Sequence, residues 1–259
     1  FNKMSTQIKN EWGNKKIPCH PESYKFMLKR AETFGGKPLR QSTIPERRQL
    51  WKRLFHSEPP EFDGTIEDRR VTSQEVKDGI LVRIYKPSNA PEAPKILVYF
   101  HGGGQMFGDI DMTRALHRTL SQRCGLIIVD VEYRLCPETK LPGGMDDGVT
   151  VTKWVLENKT AVGGTVDSPV GVGGDSAGGQ TAIYVTHKVK GLDFQILVYP
   201  WGDFANRSPS VEEFASLALT EDWPWIYQKV LEKGADIEDP RWRPVTTRWR
   251  TALVYRRPS

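Results

Sequence analysis

The chain has 259 residues, a formal net charge of +5, five histidines and three cysteines, and 38% of it is hydrophobic. That length allows one large α/β core, the composition separates it from disordered chains, and no apolar run approaches the roughly 20 residues that cross a bilayer. Cys19, Cys124 and Cys136 form neither an even disulfide framework nor a metal spacing, so free thiols in a reducing, cytoplasmic setting are expected.

Charge is unevenly placed. Residues 1–60 carry thirteen Lys/Arg against five Asp/Glu, and residues 240–259 carry six Arg and no acid. The basic residues of the first segment are interleaved with Leu, Trp, Phe and Tyr at helical spacing, which reads as a solvated helix face. No nucleic-acid partner is expected.

In chain order, His20 to Arg30 and Ile44 to Phe55 read as amphipathic helices. The second has Ser42 and Thr43 ahead of it and Pro45 and Glu46 in its first turn, all start signals. His56 to Gly64 is a Pro-rich linker. Arg69 to Val76 and Ile80 to Tyr85 read as a hairpin turned by Asp78-Gly79. Lys95 to Phe100 is the clearest buried strand. A helix over Met112–Arg123, a strand over Gly125–Val131 and a helix over Met145–Asn158 follow. Pro169 to Gly173 is a short strand, Gln180 to Val185 begins a helix, and Phe194 to Tyr199 is another strand. Ser210 to Gly234 reads as helical and aromatic, either packing core or a lid over an apolar pocket. Alternating strands and helices imply a mostly parallel sheet with helices on both faces.

Two motifs carry chemistry. Gly174-Asp175-Ser176-Ala177-Gly178 has the G-x-S-x-G form of a nucleophile elbow and lies between a strand and a helix, as that motif requires. A tight turn exposes the serine hydroxyl and leaves room only for small residues two positions either side, here Gly174 and Gly178. His101-Gly102-Gly103-Gly104 follows a buried strand and has the form of an oxyanion loop, whose backbone N–H groups meet the charge that builds on a carbonyl oxygen. Other glycine-loop chemistries fit poorly. A dinucleotide fingerprint over Gly171–Gly179 needs glycine where Ser176 stands, and a P-loop needs a Gly-Lys-Ser/Thr ending.

Together these residues resemble the hormone-sensitive lipase branch of the α/β-hydrolases, which includes acetyl esterases and arylacetamide deacetylases. Glu132-Tyr133-Arg134-Leu135-Cys136-Pro137-Glu138 is similar to that branch's D-Y-R-L-A-P-E stretch, and the likeness runs from about residue 20 to 255. The resemblance implies an α/β-hydrolase core over 61–259, a helical cap segment over 1–60 and a cap insertion at about 203–245. It implies Ser176 as nucleophile and the N–H groups of Gly103, Gly104 and Ala177 as oxyanion donors, supported by His101, Gly102, Gly174, Asp175 and Gly178. His101 would anchor the glycine loop, and Arg134 and Glu138 would hold the loop after the fourth strand. Gln105 stands where the branch often has an aromatic residue, which bears on the shape of the acyl pocket. The partner implied is a small-molecule ester, with no metal and no organic cofactor.

The second half of a catalytic triad is missing from this reading. The family order is Ser, then Asp or Glu, then His, and the only histidine after Ser176 is His187. Eleven helical residues at 1.5 Å each put it roughly 16 Å away. His20, His56 and His117 lie on segments not expected to reach the elbow, and Asp203 reads as a helix cap rather than a triad acid. The chain opens on Phe1 and its likeness stops at Tyr255, so a C-terminally shortened hydrolase with little turnover is expected. The alternative is a non-catalytic small-molecule binder on the same fold, as in the gibberellin receptors.

Overall fold

The computed structural model describes residues 20–35, 39–55, 57–203 and 222–242, together with residues 11–12, 17–18 and 209. Six strands form one sheet: β1 (Gly64–Val71), β2 (Ile80–Pro87), β3 (Ile96–Phe100), β4 (Ile127–Val131), β5 (Val170–Asp175) and β6 (Phe194–Val198). Their spatial order is β1-β2-β4-β3-β5-β6. β1 and β2 run antiparallel, β2 meets β4 antiparallel, and β4, β3, β5 and β6 are mutually parallel. The described helices are α1 (Pro21–Phe34), α2 (Ile44–Phe55), α3 (Arg114–Cys124), α4 (Gly143–Glu157), α5 (Ala177–Lys188) and α6 (Trp223–Val230).

The central strands β3 and β4 are buried throughout, as strands covered on both faces must be. Successive side chains still divide between the faces. Ile96, Val98 and Phe100 join Ile127, Val129 and Val131 in a core with Val151 and Val155 of α4 and Ala182 and Val185 of α5. Leu97, Tyr99 and Ile128 face the other way with Tyr85, against Leu120 of α3.

The hairpin differs from expectation in extent. β1 starts five residues earlier, and the register Val71↔Ile80 leaves residues 72–79 as an eight-residue connection. The charged run Glu67 to Arg70 masks the strand, because β1 is a sheet edge where charge is tolerated. Asp68 accepts two hydrogen bonds from the Arg83 guanidinium across the pair, at 2.7 and 2.8 Å. Gly79 closes the connection at φ 73, where an added Cβ would lie 2.8 Å from the Val71 carbonyl oxygen.

α2 occupies the expected span. Its start is a reciprocal capping box: Thr43 N–H donates to Glu46 Oε2 at 2.9 Å, and Glu46 N–H to Thr43 Oγ1 at 3.3 Å. Much of the aromatic segment expected to be helical between 210 and 234 lies outside the described residues. Within them, α6 ends at Val230, and residues 231–242 form turns around Gly234 at φ 83. α2 and α6 pack on the loop that follows β3: Ile44 and Trp51 of α2, and Trp223 and Ile226 of α6, share a cluster with Met106 and Phe107.

Candidate active site

Ser176 stands between β5 and α5 with φ 51 and ψ −118, a conformation that costs a side-chain-bearing residue about 1–3 kcal/mol. The surrounding backbone imposes it. Ser176 N–H donates to the Val198 carbonyl of β6 at 3.0 Å. A Cβ on Gly174 would sit 2.4 Å from the Gly178 carbonyl carbon, and one on Gly178 would sit 2.0 Å from the Phe100 oxygen. Both expected small positions are therefore obligatory. The Ser176 carbonyl accepts from Trp201 N–H at 2.8 Å and Gln180 N–H at 3.2 Å. These bonds fix the peptide plane that carries the Ala177 N–H at the first turn of α5, where the helix dipole favours negative charge.

The glycine loop is held to the elbow by Asp175. Its Oδ1 accepts from Gly102 N–H at 2.9 Å and from the Tyr99 hydroxyl at 3.0 Å. Burial and the Asp175 charge both raise the Tyr99 hydroxyl above its ordinary range, so it stays protonated and donates. Gly103, at φ 133, turns so closely that a Cβ would meet the Phe107 carbonyl oxygen, and its own carbonyl accepts from Phe107 N–H at 2.9 Å. Gly104, at φ 62, has open space where a Cβ would be.

His101 is buried. Its Nδ1 lies 2.8 Å from the Gly102 carbonyl oxygen, its ring stacks on Tyr133 at 4.5 Å, and its own carbonyl accepts from the Tyr133 hydroxyl at 2.6 Å. These contacts tie the ring and backbone of His101 to the glycine loop and to Tyr133.

A cavity of about 910 Å³ opens between these parts. Ser176, Gly103 and Gly104 line it with the rings of Trp51, Phe55, Phe107, Trp201 and Trp223. Asp175 is the sole carboxylate among its lining residues, and no Lys or Arg is among them. An uncharged, largely apolar molecule suits such a wall.

The other sequence-level candidates sit elsewhere. His187 is at the far end of α5, outside the cavity lining, with its pKa lowered by burial and by Lys188 and Lys190. His117 is sealed in the core with Nδ1 3.0 Å from Asp130 Oδ2, a close approach off the line of a hydrogen bond. His20 accepts Glu22 N–H at the start of α1, and His56 is outside the described residues. Asp203 follows β6 and is not in the lining. Arg134 forks onto Asp147 of α4 at 2.7 Å, and Glu138 takes two bonds from Arg48 at 2.7 and 2.9 Å, both structural roles as expected. Gln105 departs from expectation. It does not line the cavity but turns underneath it at φ 64 and reaches α5.

Sequence reasoning passed over Arg48, whose Nε donates to the Met106 carbonyl and whose Nη2 donates to the Cys136 carbonyl, both at 2.9 Å. Its only signal was a basic residue near the start of α2. Among the described residues, no group of three or more His, Cys, Asp or Glu is placed to hold a metal ion.

A serine elbow after the fifth strand, facing a glycine loop after the third, on a sheet ordered 1-2-4-3-5-6, defines a hydrolase-type scaffold. The family model described as alpha/beta hydrolase fold matches residues 97–255, and the chain belongs to that family. It is 32% identical to the ethyl acetate hydrolase of Pseudomonas putida over 70% of this chain and 59% of that protein. It is 33% identical to carboxylesterase NlhH of Mycobacterium tuberculosis over 73% of this chain and 61% of that protein. The chain thus spans about three fifths of the length of these curated relatives. Among solved structures it resembles an alpha/beta hydrolase enzyme from the metagenome of Lake Arreo, Spain (TM-score 0.78, 27% identity, 88% of this chain and 75% of that one). The Pyrobaculum calidifontis esterase is also similar (TM-score 0.71, 26% identity, 80% of this chain and 70% of that one). Among the described residues no helix is long and apolar enough to cross a membrane.

Proposed function

We propose that this chain carries the nucleophile and oxyanion half of a serine carboxylesterase acting on uncharged esters of short to medium acyl chains. The observation that carries the reading is Ser176 on a strained elbow, opening into the same apolar cavity as Gly103 and Gly104. Ser176 Oγ bonds to the acyl carbon, the carbonyl oxygen takes the charge against the N–H groups of Gly103, Gly104 and Ala177, and the serine proton departs with the alcohol. Water then cleaves the acyl-enzyme to acid and free serine. No metal or organic cofactor has a place in these steps. α1, α2 and α6 act as the cap over the cavity. The relatives named as ester hydrolases support the reaction class.

Of the described histidines only His101 reaches the cavity lining, and its Nδ1 is held at the Gly102 carbonyl, so slow ester turnover is the outcome this reading expects. Residual catalysis of roughly 10³-fold over water is what oxyanion and binding contacts supply without a base. The alternative, a non-catalytic binder of small uncharged molecules, is favoured by the same observation: His101 is the only described histidine in the lining, and its Nδ1 is engaged.

A fluorophosphonate probe separates the two. Slow, stoichiometric labelling that disappears in Ser176→Ala, with weak serine-dependent hydrolysis of p-nitrophenyl acetate or butyrate, supports the esterase. A folded protein that binds apolar ligands and is never labelled supports the binder. Rapid labelling would show that a residue left out of this reading serves as base.

A further inference from the structure

Gln105 joins the two pieces of backbone that the proposed oxyanion site is built from, and nothing in the reaction steps above uses it. It is 1% exposed and has φ 64, in the left-handed region that side-chain-bearing residues seldom occupy. That conformation turns its side chain beneath the glycine loop. There Nε2 lies 3.0 Å from the Ala177 carbonyl oxygen, 3.2 Å from Thr181 Oγ1 and 3.3 Å from Gln180 Oε1. These acceptors belong to the first two turns of α5, the helix that begins with the Ala177 N–H. The Gln105 carbonyl in turn accepts from Cys136 N–H at 2.8 Å. Gln180, which shares the contact, passes its own Nε2 to the Trp242 carbonyl at 3.3 Å.

We propose that Gln105 is a positioning residue for the oxyanion site: its carboxamide sets the spacing between the Gly103–Gly104 loop and the Ala177 N–H. The inference rests on the reading of Ser176 as an esterase nucleophile. An oxyanion gains from several donors only when they converge on one point, and donors preorganised on two separate segments need a link between them. Asp175 supplies one link, at Gly102 at the start of the loop. Gln105 supplies the second, directly after Gly104. An apolar side chain in its place would leave the Ala177 carbonyl, Thr181 and Gln180 without this donor and the loop free to slide along the helix.

The test compares wild type with Gln105→Leu and Gln105→Glu. Leucine fills similar space without donors, and glutamate keeps the shape but sets a carboxylate against the Ala177 carbonyl. Phosphonylation by the fluorophosphonate is measured per labelled site, which removes any unfolded fraction. The expected result is a fall in kinact of about 10–100-fold in both variants, with KI within threefold and an unchanged pH profile, as expected for a donor displaced by a fraction of an ångström. Equal kinact values in wild type and Gln105→Leu overturn the proposal while leaving Ser176 as nucleophile. A wild type that is never labelled overturns the esterase reading instead. In that case amide exchange in the Ser176→Ala background still decides the positioning role. Gly103, Gly104 and Ala177 are expected to exchange at least tenfold faster when Gln105 is leucine, and unchanged exchange refutes the link.

Discussion

Replacing Gly178 by alanine tests the closeness of elbow and glycine loop most directly. The added Cβ would fall 2.0 Å from the Phe100 oxygen and 2.5 Å from the His101 oxygen. Real Cβ contacts essentially never come under 3.0 Å, so α5 and the end of β3 must part by at least 1.0 Å. Both obstacles are backbone carbonyls in a packed sheet, which have no rotamer to yield. Overpacking of this kind costs about 3 kcal/mol, at the upper end of the usual range. For a chain of this size that lowers Tm by roughly 6–12 °C. The same displacement moves the Ala177 N–H away from Gly103 and Gly104, and a shift of about 1 Å at a reacting centre is worth about a hundredfold in rate. Gly104→Ala is the control for stability: its φ is 62 and no atom lies within 4 Å of the new Cβ, so only the left-handed backbone penalty of about 1–2 kcal/mol applies. Thermal and urea unfolding of the two variants give the comparison. If Gly178→Ala is as stable as Gly104→Ala, the close approach of α5 to Phe100 and His101 is wrong.

Other perturbations address the supports. Asp175→Ala removes the charged acceptor shared by Gly102 N–H and the Tyr99 hydroxyl and is expected to cost about 2–3 kcal/mol, whereas Asp175→Asn, which keeps an acceptor oxygen, costs less; equal losses in urea unfolding would contradict the role given to that oxygen. His117→Leu takes the ring away from the buried Asp130 carboxyl, which keeps its hydrogen bond from Thr113 Oγ1, and is expected to cost about 1–3 kcal/mol, with most of it recovered in His117→Leu/Asp130→Val; a double variant no more stable than the single one would show that the close approach is not the cause. The Arg48 guanidinium holds the Glu138 carboxyl below its ordinary value, so this anchor of α2 is fully present above about pH 4.3 and is lost as pH falls through the lower folded value. Acid unfolding of Arg48→Met is therefore expected to lack that component, and a pH dependence identical to wild type would refute it.

Local steric rules determined much of this molecule in advance. The elbow and the glycine loop were legible because each depends on residues a few positions apart. Gly174 and Gly178 are forced by the turn at Ser176, and Gly103 by the close return of the chain at Phe107. The strands β3 and β4 were legible because burial on both faces demands a continuous apolar run, and α2 because its capping box lies within four residues. β1 was partly hidden, since an edge strand need not be apolar and this one carries four consecutive charged residues.

Only the tertiary structure decided what those pieces meet. Alternation reports that a strand is covered but not by which neighbour, so the insertion of β4 between β2 and β3 could not be read from either strand. Gln105 was expected to bear on the shape of the acyl pocket, because it stands where the resembled branch often has an aromatic residue. Its positive φ turns it the other way, onto acceptors 72 to 76 residues further along the chain. Arg48 looked like one more surface cation, and its carboxylate partner is 90 residues distant. Contacts of that range exist only after the crossovers have laid β3 beside β5 and brought α2 over both loops. A one-dimensional pattern of charge and hydropathy holds no record of them.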